Sequence, residues 1–173
     1  MNKFLLTLAL VSSTAFAVDS EDYRDPYEFS IMGPLQYKDS YLMKISGNFD
    51  KNSYDKIKEA LDKTNHKPVY IYAESFGGYA NDIMKTAELI HDQGNVIWKV
   101  EEGSYCMSTC ALVALGSKKI EGILHFHAVT FSDNNQININ FTNQIISNFY
   151  KYKPTVKLNE VMNSKKLRYV KFS

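Results

Sequence analysis

Cys106-Met107-Ser108-Thr109-Cys110 sets a serine symmetrically between two cysteines, and His127 follows nineteen residues later in the apolar run Leu124-His125-Phe126-His127. Upstream, Ser75-Phe76-Gly77-Gly78 directly follows the run Val69-Tyr70-Ile71-Tyr72-Ala73. A hydroxyl, an imidazole and a Gly-Gly turn are the parts of nucleophilic acyl transfer. Ser108 would attack, His127 would take its proton, and backbone N–H groups at Gly77 and Gly78 would hold the oxyanion. Each part alone has a plainer reading: a structural serine, a core histidine, an ordinary turn. Their order and spacing carry the chemistry.

The two cysteines take their meaning from the amino terminus. Lys3, the apolar stretch from Phe4 to Val11 and the small-x-small triplet Ala15-Phe16-Ala17 read as a secretory signal over residues 1–17. That stretch is too short to span a bilayer, which takes about 20 apolar residues. One domain over 18–173 is expected, in a periplasmic or secreted location. Outside the cytosol a pair of cysteines tends to bond. A redox pair is the competing reading, but the four-residue interval is not the two-residue spacing of thioredoxin-like motifs. In a regular helix Cβ atoms four apart lie ~5–6 Å from each other, whereas a disulfide needs about 3.5–4.5 Å. A Cys106–Cys110 bridge therefore requires Cys106 in the turn before a helix, where it would fix the backbone around Ser108.

Removing Lys3 with the signal leaves basic and acidic side chains balanced at a formal net charge of zero. A nucleic-acid partner is not expected, because that surface must be basic; Lys165, Lys166 and Lys171 read as a solvated face. His125 and His127 would share one strand face, but no third ligand accompanies them, so neither metal nor cofactor is expected.

The elements that must position these residues follow from periodicity. Residues 18–40 read as an extended lead-in, Tyr41 to Ser46 as a strand, and Asn52 or Ser53 through Leu61 as a helix stopped before Pro68. Val69–Ala73 is a strand, Ala80–Asp92 a helix closed by Gly94, Val96–Val100 a strand, and Ser108–Leu115 a helix ended by Gly116. Ile123–Val129 is a further strand. Ser132–Asn140 reads as a loop or a hairpin turning at Asn134-Asn135, and 141–163 as helical with a break at Pro154. Alternating strands and helices imply an α/β domain with a mainly parallel sheet. Sites in such sheets form at the strands' carboxyl ends. Both motifs fall at such ends.

Residues 69–129 resemble the proteolytic subunit of the Clp proteases, within the Clp/crotonase superfamily, and particularly its small exported relatives. The resemblance rests on Ser75-Phe76-Gly77-Gly78, the Ser108 turn and helix, Gly116-Ser117-Lys118-Lys119 and the apolar run into His127. It implies a single domain of repeated β-β-α units and a serine–histidine pair that cleaves peptides through an acyl-enzyme. Carried over, Ser108 is the nucleophile, His127 the base, and N–H groups at Gly77 or Gly78 and at Thr109 form the oxyanion hole. It also implies packing between subunits after the histidine, where Ile145–Tyr152 is aromatic and, Lys151 apart, uncharged. Three points depart from the pattern. Phe76 stands where the Clp proteases have proline, the serine-to-histidine interval is shorter, and only Asp133 and Glu160 supply carboxylates after His127.

Two functions of different class follow. One is an exported serine hydrolase acting on peptides or unfolded polypeptide. The other is a catalytically inactive exported protein that keeps the fold as a binding or assembly module.

Overall fold

Strand Val69–Glu74 alternates buried and half-exposed residues along its length, with Val69, Ile71 and Ala73 facing inward. That period of two means a sheet packed on one face only, because a parallel strand covered on both faces would be continuously apolar. The computed structural model describes residues 27–130 and 136–173. The expected signal, Asp133 and the Asn134-Asn135 turn lie outside the described residues.

In chain order the strands are β1 (Ser30–Tyr37), β2 (Ser40–Ser46), β3 (Val69–Glu74), β4 (Val96–Lys99), β5 (Lys119–Phe126) and β6 (Arg168–Phe172). They form one six-stranded sheet in sequential order. β2 to β5 are parallel, and antiparallel strands β1 and β6 close the two edges. The helices are α1 (Ser53–Asp62), α2 (Ile83–Gln93), α3 (Thr109–Ala114), α4 (Ile139–Phe149) and α5 (Leu158–Val161). Met43, Ile45, Ile71, Trp98 and Ile120 from the strands join Ile57, Leu61, Ile90 and all of α3 in one core. The other strand positions carry ion pairs, Lys44–Glu74 at 3.1 Å and Lys99–Glu121 at 2.9 Å.

Residues 30–37 of the expected lead-in are strand β1, joined to β2 by the two-residue turn Lys38-Asp39, with Lys38 at φ 54°. β5 starts at Lys119, four residues before the apolar run, and ends at Phe126. α4 starts at Ile139 inside the expected loop, capped by Asn138, whose Oδ1 accepts the Phe141 N–H at 3.0 Å.

The second strand of each β-β-α unit is reduced to isolated bridges beyond the carboxyl ends of the parallel strands. These are Phe49 with Gly78, Ser75 with Cys106, and Met107 with His125. This small second layer brings the two sequence motifs together.

Candidate active site

Three segments lie side by side in that layer: 75–78 after β3, 105–108 before α3, and the end of β5. Tyr105 and Ser75 are tied by the Ser75 N–H donating to the Tyr105 carbonyl at 2.8 Å, and the Met107 N–H returns to the Ser75 carbonyl at 2.9 Å. On the other side, the His125 N–H donates to the Cys106 carbonyl at 2.9 Å and the Ser108 N–H to the His125 carbonyl at 2.8 Å. The chain thus threads between two neighbours before reversing into α3.

Ser108 makes that reversal at φ 53°, ψ −119°, a conformation L residues rarely adopt. Holding a non-glycine residue there costs about 1–3 kcal/mol. A serine on a strained turn opening a helix is also how α/β hydrolases project their nucleophile. Its N–H is held by His125 and its carbonyl accepts the Leu112 N–H at 3.0 Å, so the backbone is fixed on both sides. The half-buried side chain makes no hydrogen bond among the described residues.

Cys106 and Cys110 form a disulfide around this turn, both fully buried. Cys106 lies before α3 and Cys110 in its first turn, the placement a four-residue interval requires. Closing so short a loop is worth about 2 kcal/mol in the chain-entropy model, comparable to the local strain.

Gly77 lies directly against the serine. A Cβ on Gly77 would come within 2.7 Å of Ser108 Cβ, 2.8 Å of the Met107 carbonyl oxygen and 3.1 Å of the Thr109 nitrogen. The Gly77 N–H donates to the buried Ser75 hydroxyl at 3.1 Å, and its carbonyl accepts the Phe49 N–H at 2.6 Å. The Gly78 and Thr109 N–H groups have no acceptor among the described residues. Thr109 Oγ1 donates to the Gly78 carbonyl at 3.0 Å and ties the two loops together. Phe76 projects from the first loop, nearly half exposed, and stacks on Tyr105 with ring centroids 3.9 Å apart.

His127 follows the last residue of β5 and is half-buried. Its Nδ1 lies 2.7 Å from the Ala128 carbonyl oxygen. A carbonyl only accepts, so Nδ1 carries a proton here, and in the neutral ring Nε2 is then the acceptor. The N–H of that same peptide, on Val129, donates to Thr142 Oγ1 at 3.1 Å, and the Ala128 N–H donates to the Ser164 carbonyl at 2.9 Å, so the peptides on both sides of Ala128 are held. No hydrogen bond joins His127 to Ser108 Oγ among the described residues. His125 holds the turn through its backbone, while its buried ring Nδ1 has no hydrogen-bond partner among the described residues. Glu160 is exposed and paired with Lys157 at 3.1 Å, and it makes no bond to His127. Among the described residues no three His, Cys, Asp or Glu side chains are placed to hold a metal, and no helix is long and apolar enough to cross a membrane.

Sequence reasoning gave Ser75 no role of its own within its motif, although a serine two residues before a glycine is a recognised turn signal. The Ala128 carbonyl and the His125 backbone carry no side-chain signature at all.

No protein-family model matches the sequence, and no curated protein matches it. Solved structures do. A membrane-bound stomatin-specific protease is 18% identical, over 76% of this chain and 71% of that one, with a TM-score of 0.57. The ClpP protease catalytic domain from Plasmodium falciparum is 12% identical, over 76% and 77%, with a TM-score of 0.53. An enoyl-CoA hydratase from Bacillus anthracis is 10% identical, over 82% of this chain and 64% of that one, with a TM-score of 0.54. At such identities the likeness is one of fold, and the fold hosts more than one chemistry. The chain is a single α/β domain with the Clp/crotonase fold, the fold of these proteases and of crotonase-like enzymes.

Proposed function

We propose that this protein is an exported serine hydrolase of the peptidase type, with Ser108 as nucleophile and His127 as general base. The supporting observation is the Ser108 turn itself: a strained serine at the start of α3, packed on the Gly77 backbone, beside two N–H groups that lack acceptors among the described residues. Ser108 Oγ attacks the peptide carbonyl while His127 Nε2 accepts its proton. The tetrahedral oxyanion takes hydrogen bonds from Gly78 and Thr109, each worth about 3–4 kcal/mol in such holes. As the C–N bond breaks, His127 returns the proton to the leaving amine. Water, deprotonated by the same imidazole, then releases the acyl group. Contacts between nucleophile and base are commonly long without substrate and tighten in the Michaelis complex.

The Ala128 carbonyl takes the place of the orienting acid. It fixes the tautomer, but as a neutral group it stabilises the imidazolium less than a carboxylate does, so turnover is slow. An exported compartment lacks ATP, which restricts substrates to short or unfolded polypeptide. The fold neighbours that are proteases support a protein substrate. Homo-oligomerisation belongs to this reading, and light scattering giving the mass of one mature chain would oppose it.

The Ser108 hydroxyl, without a hydrogen bond among the described residues, favours a second reading, a non-catalytic binding or assembly module. Hydrolysis of fluorogenic peptides and an unfolded polypeptide separates the two. The hydrolase cleaves them above a Ser108→Ala control; the module does not.

A further inference from the structure

The disulfide encloses one thing, the turn that presents Ser108. Its ring runs from Cys106 to Cys110 and contains only Met107, Ser108 and Thr109 between the cysteines. We infer that this bond is a redox latch on the nucleophile: the oxidised protein holds the Ser108 turn in its working shape, and the reduced protein keeps the fold but releases the turn. The inference concerns the regulation of the proposed catalytic site and rests on that reading of Ser108.

Three features separate the turn from the rest of the fold. Ser108 stands at φ 53°, so an unconstrained chain would relax toward negative φ. The flanks are held independently: Tyr105 and Met107 are bonded to Ser75, and every residue of α3 is buried. Reduction therefore frees the Ser108 turn and not the domain. Both cysteines are fully buried among apolar neighbours, where thiols are well tolerated. Two thiol sulfurs also need a non-bonded separation. Because α3 is fixed in the core, that displacement falls on the turn.

The chemistry needs a dithiol reductant. One of its thiolates attacks a cysteine sulfur, breaking the S–S bond, and the released cysteine thiolate takes up a proton. The second thiol of the reductant then closes on the mixed disulfide and releases the other cysteine. Two electrons and two protons pass to the pair, and the reductant leaves as its cyclic disulfide. Burial of both sulfurs means that attack waits for local opening of the turn. In a reducing compartment the latch stays open, and arrival in an oxidising one sets the nucleophile.

The test compares oxidised protein, dithiol-reduced protein and the Cys106→Ala/Cys110→Ala variant in two measurements, the rate of fluorophosphonate labelling and amide hydrogen exchange. Labelling should fall about tenfold or more in the reduced and variant proteins, since the competent turn becomes a minor conformer. Reoxidation should restore it in the wild type alone. Exchange should quicken at the Ser108 and His125 amides and stay unchanged in β3 and α2, with a Tm loss under about 8 °C. Equal labelling and equal exchange in both redox states would overturn the latch, as would loss of protection throughout β3 and α2. If oxidised protein never labels while the Ser108 and His125 amides still respond to reduction, the latch stands and the hydrolase reading fails.

Discussion

Gly77→Ala probes the packing of the two motifs most sharply. The new methyl carbon would sit 2.7 Å from Ser108 Cβ, 2.8 Å from the Met107 oxygen and 3.1 Å from the Thr109 nitrogen. Two of these three atoms belong to the backbone and cannot swing aside. Gly77 also stands at φ 103°, where an alanine is strained. Strain of about 1–3 kcal/mol and overpacking of about 1–3 kcal/mol together give a stability loss of about 2–6 kcal/mol. Beyond that, displacing Thr109 would misplace the proposed oxyanion donor, a further loss on the order of 10²–10³-fold in rate per folded molecule. Gly122→Ala isolates the first effect. Its Cβ would meet the Val100 oxygen at 2.2 Å with φ at 110°, yet none of the three nearest atoms belongs to the Ser108 turn. Urea melts combined with fluorophosphonate labelling, normalised to folded protein, read both quantities. Both variants should lose stability, and Gly77→Ala alone should lose labelling. A folded Gly77→Ala protein that labels at the wild-type rate would refute the packing of Gly77 on the nucleophile.

Glu160→Gln should leave hydrolysis within about twofold of wild type, because Glu160 is exposed and bonded to Lys157; a catalytic acid would cost about 10⁴-fold. Hydrogen bonds from Lys119 and Lys99 hold the Glu121 carboxyl below the usual glutamate range. Its stabilisation is therefore fully present above the ordinary glutamate pKa and is lost as pH falls through the lowered folded value. Glu121→Gln should cost no more than about 1 kcal/mol at neutral pH, since the pair is partly exposed, and should flatten the acid limb of a pH–stability curve. Intact mass of oxidised protein should lie about 2 Da below that of the reduced chain, and a thiol reagent should label neither cysteine before unfolding.

Much of the frame was legible because burial follows periodicity. β3, α2 and β4 each present their apolar residues at the spacing that the core demands, and α3 reads as a continuous apolar run because all of it is buried. β1 escaped notice because it is an edge strand with Met32, Leu35 and Tyr37 exposed, so it shows no buried face. The start of β5 was hidden for a related reason: Lys119 and Glu121 point to the uncovered sheet face, where Glu121 pairs with Lys99. β6, with three of its five residues exposed and none fully buried, gave equally little. The Ser108 turn was legible as a motif but not in its placement. It does not directly follow β4; the segment from Val100 to Tyr105 first carries the chain to the bridge layer. The backbone contributions of His125 and Ala128 are independent of side-chain type and leave no trace in a sequence.

The most direct measurement is the site of covalent attachment. Oxidised protein is treated with a fluorophosphonate, digested, and mapped by mass spectrometry, with His127→Ala and Ser108→Ala alongside. The account predicts one adduct, on Ser108, absent in Ser108→Ala and reduced at least about 10²-fold in His127→Ala, since nucleophile and base act as a unit. Attachment elsewhere, or a His127→Ala protein that labels Ser108 as fast as the wild type, would contradict it.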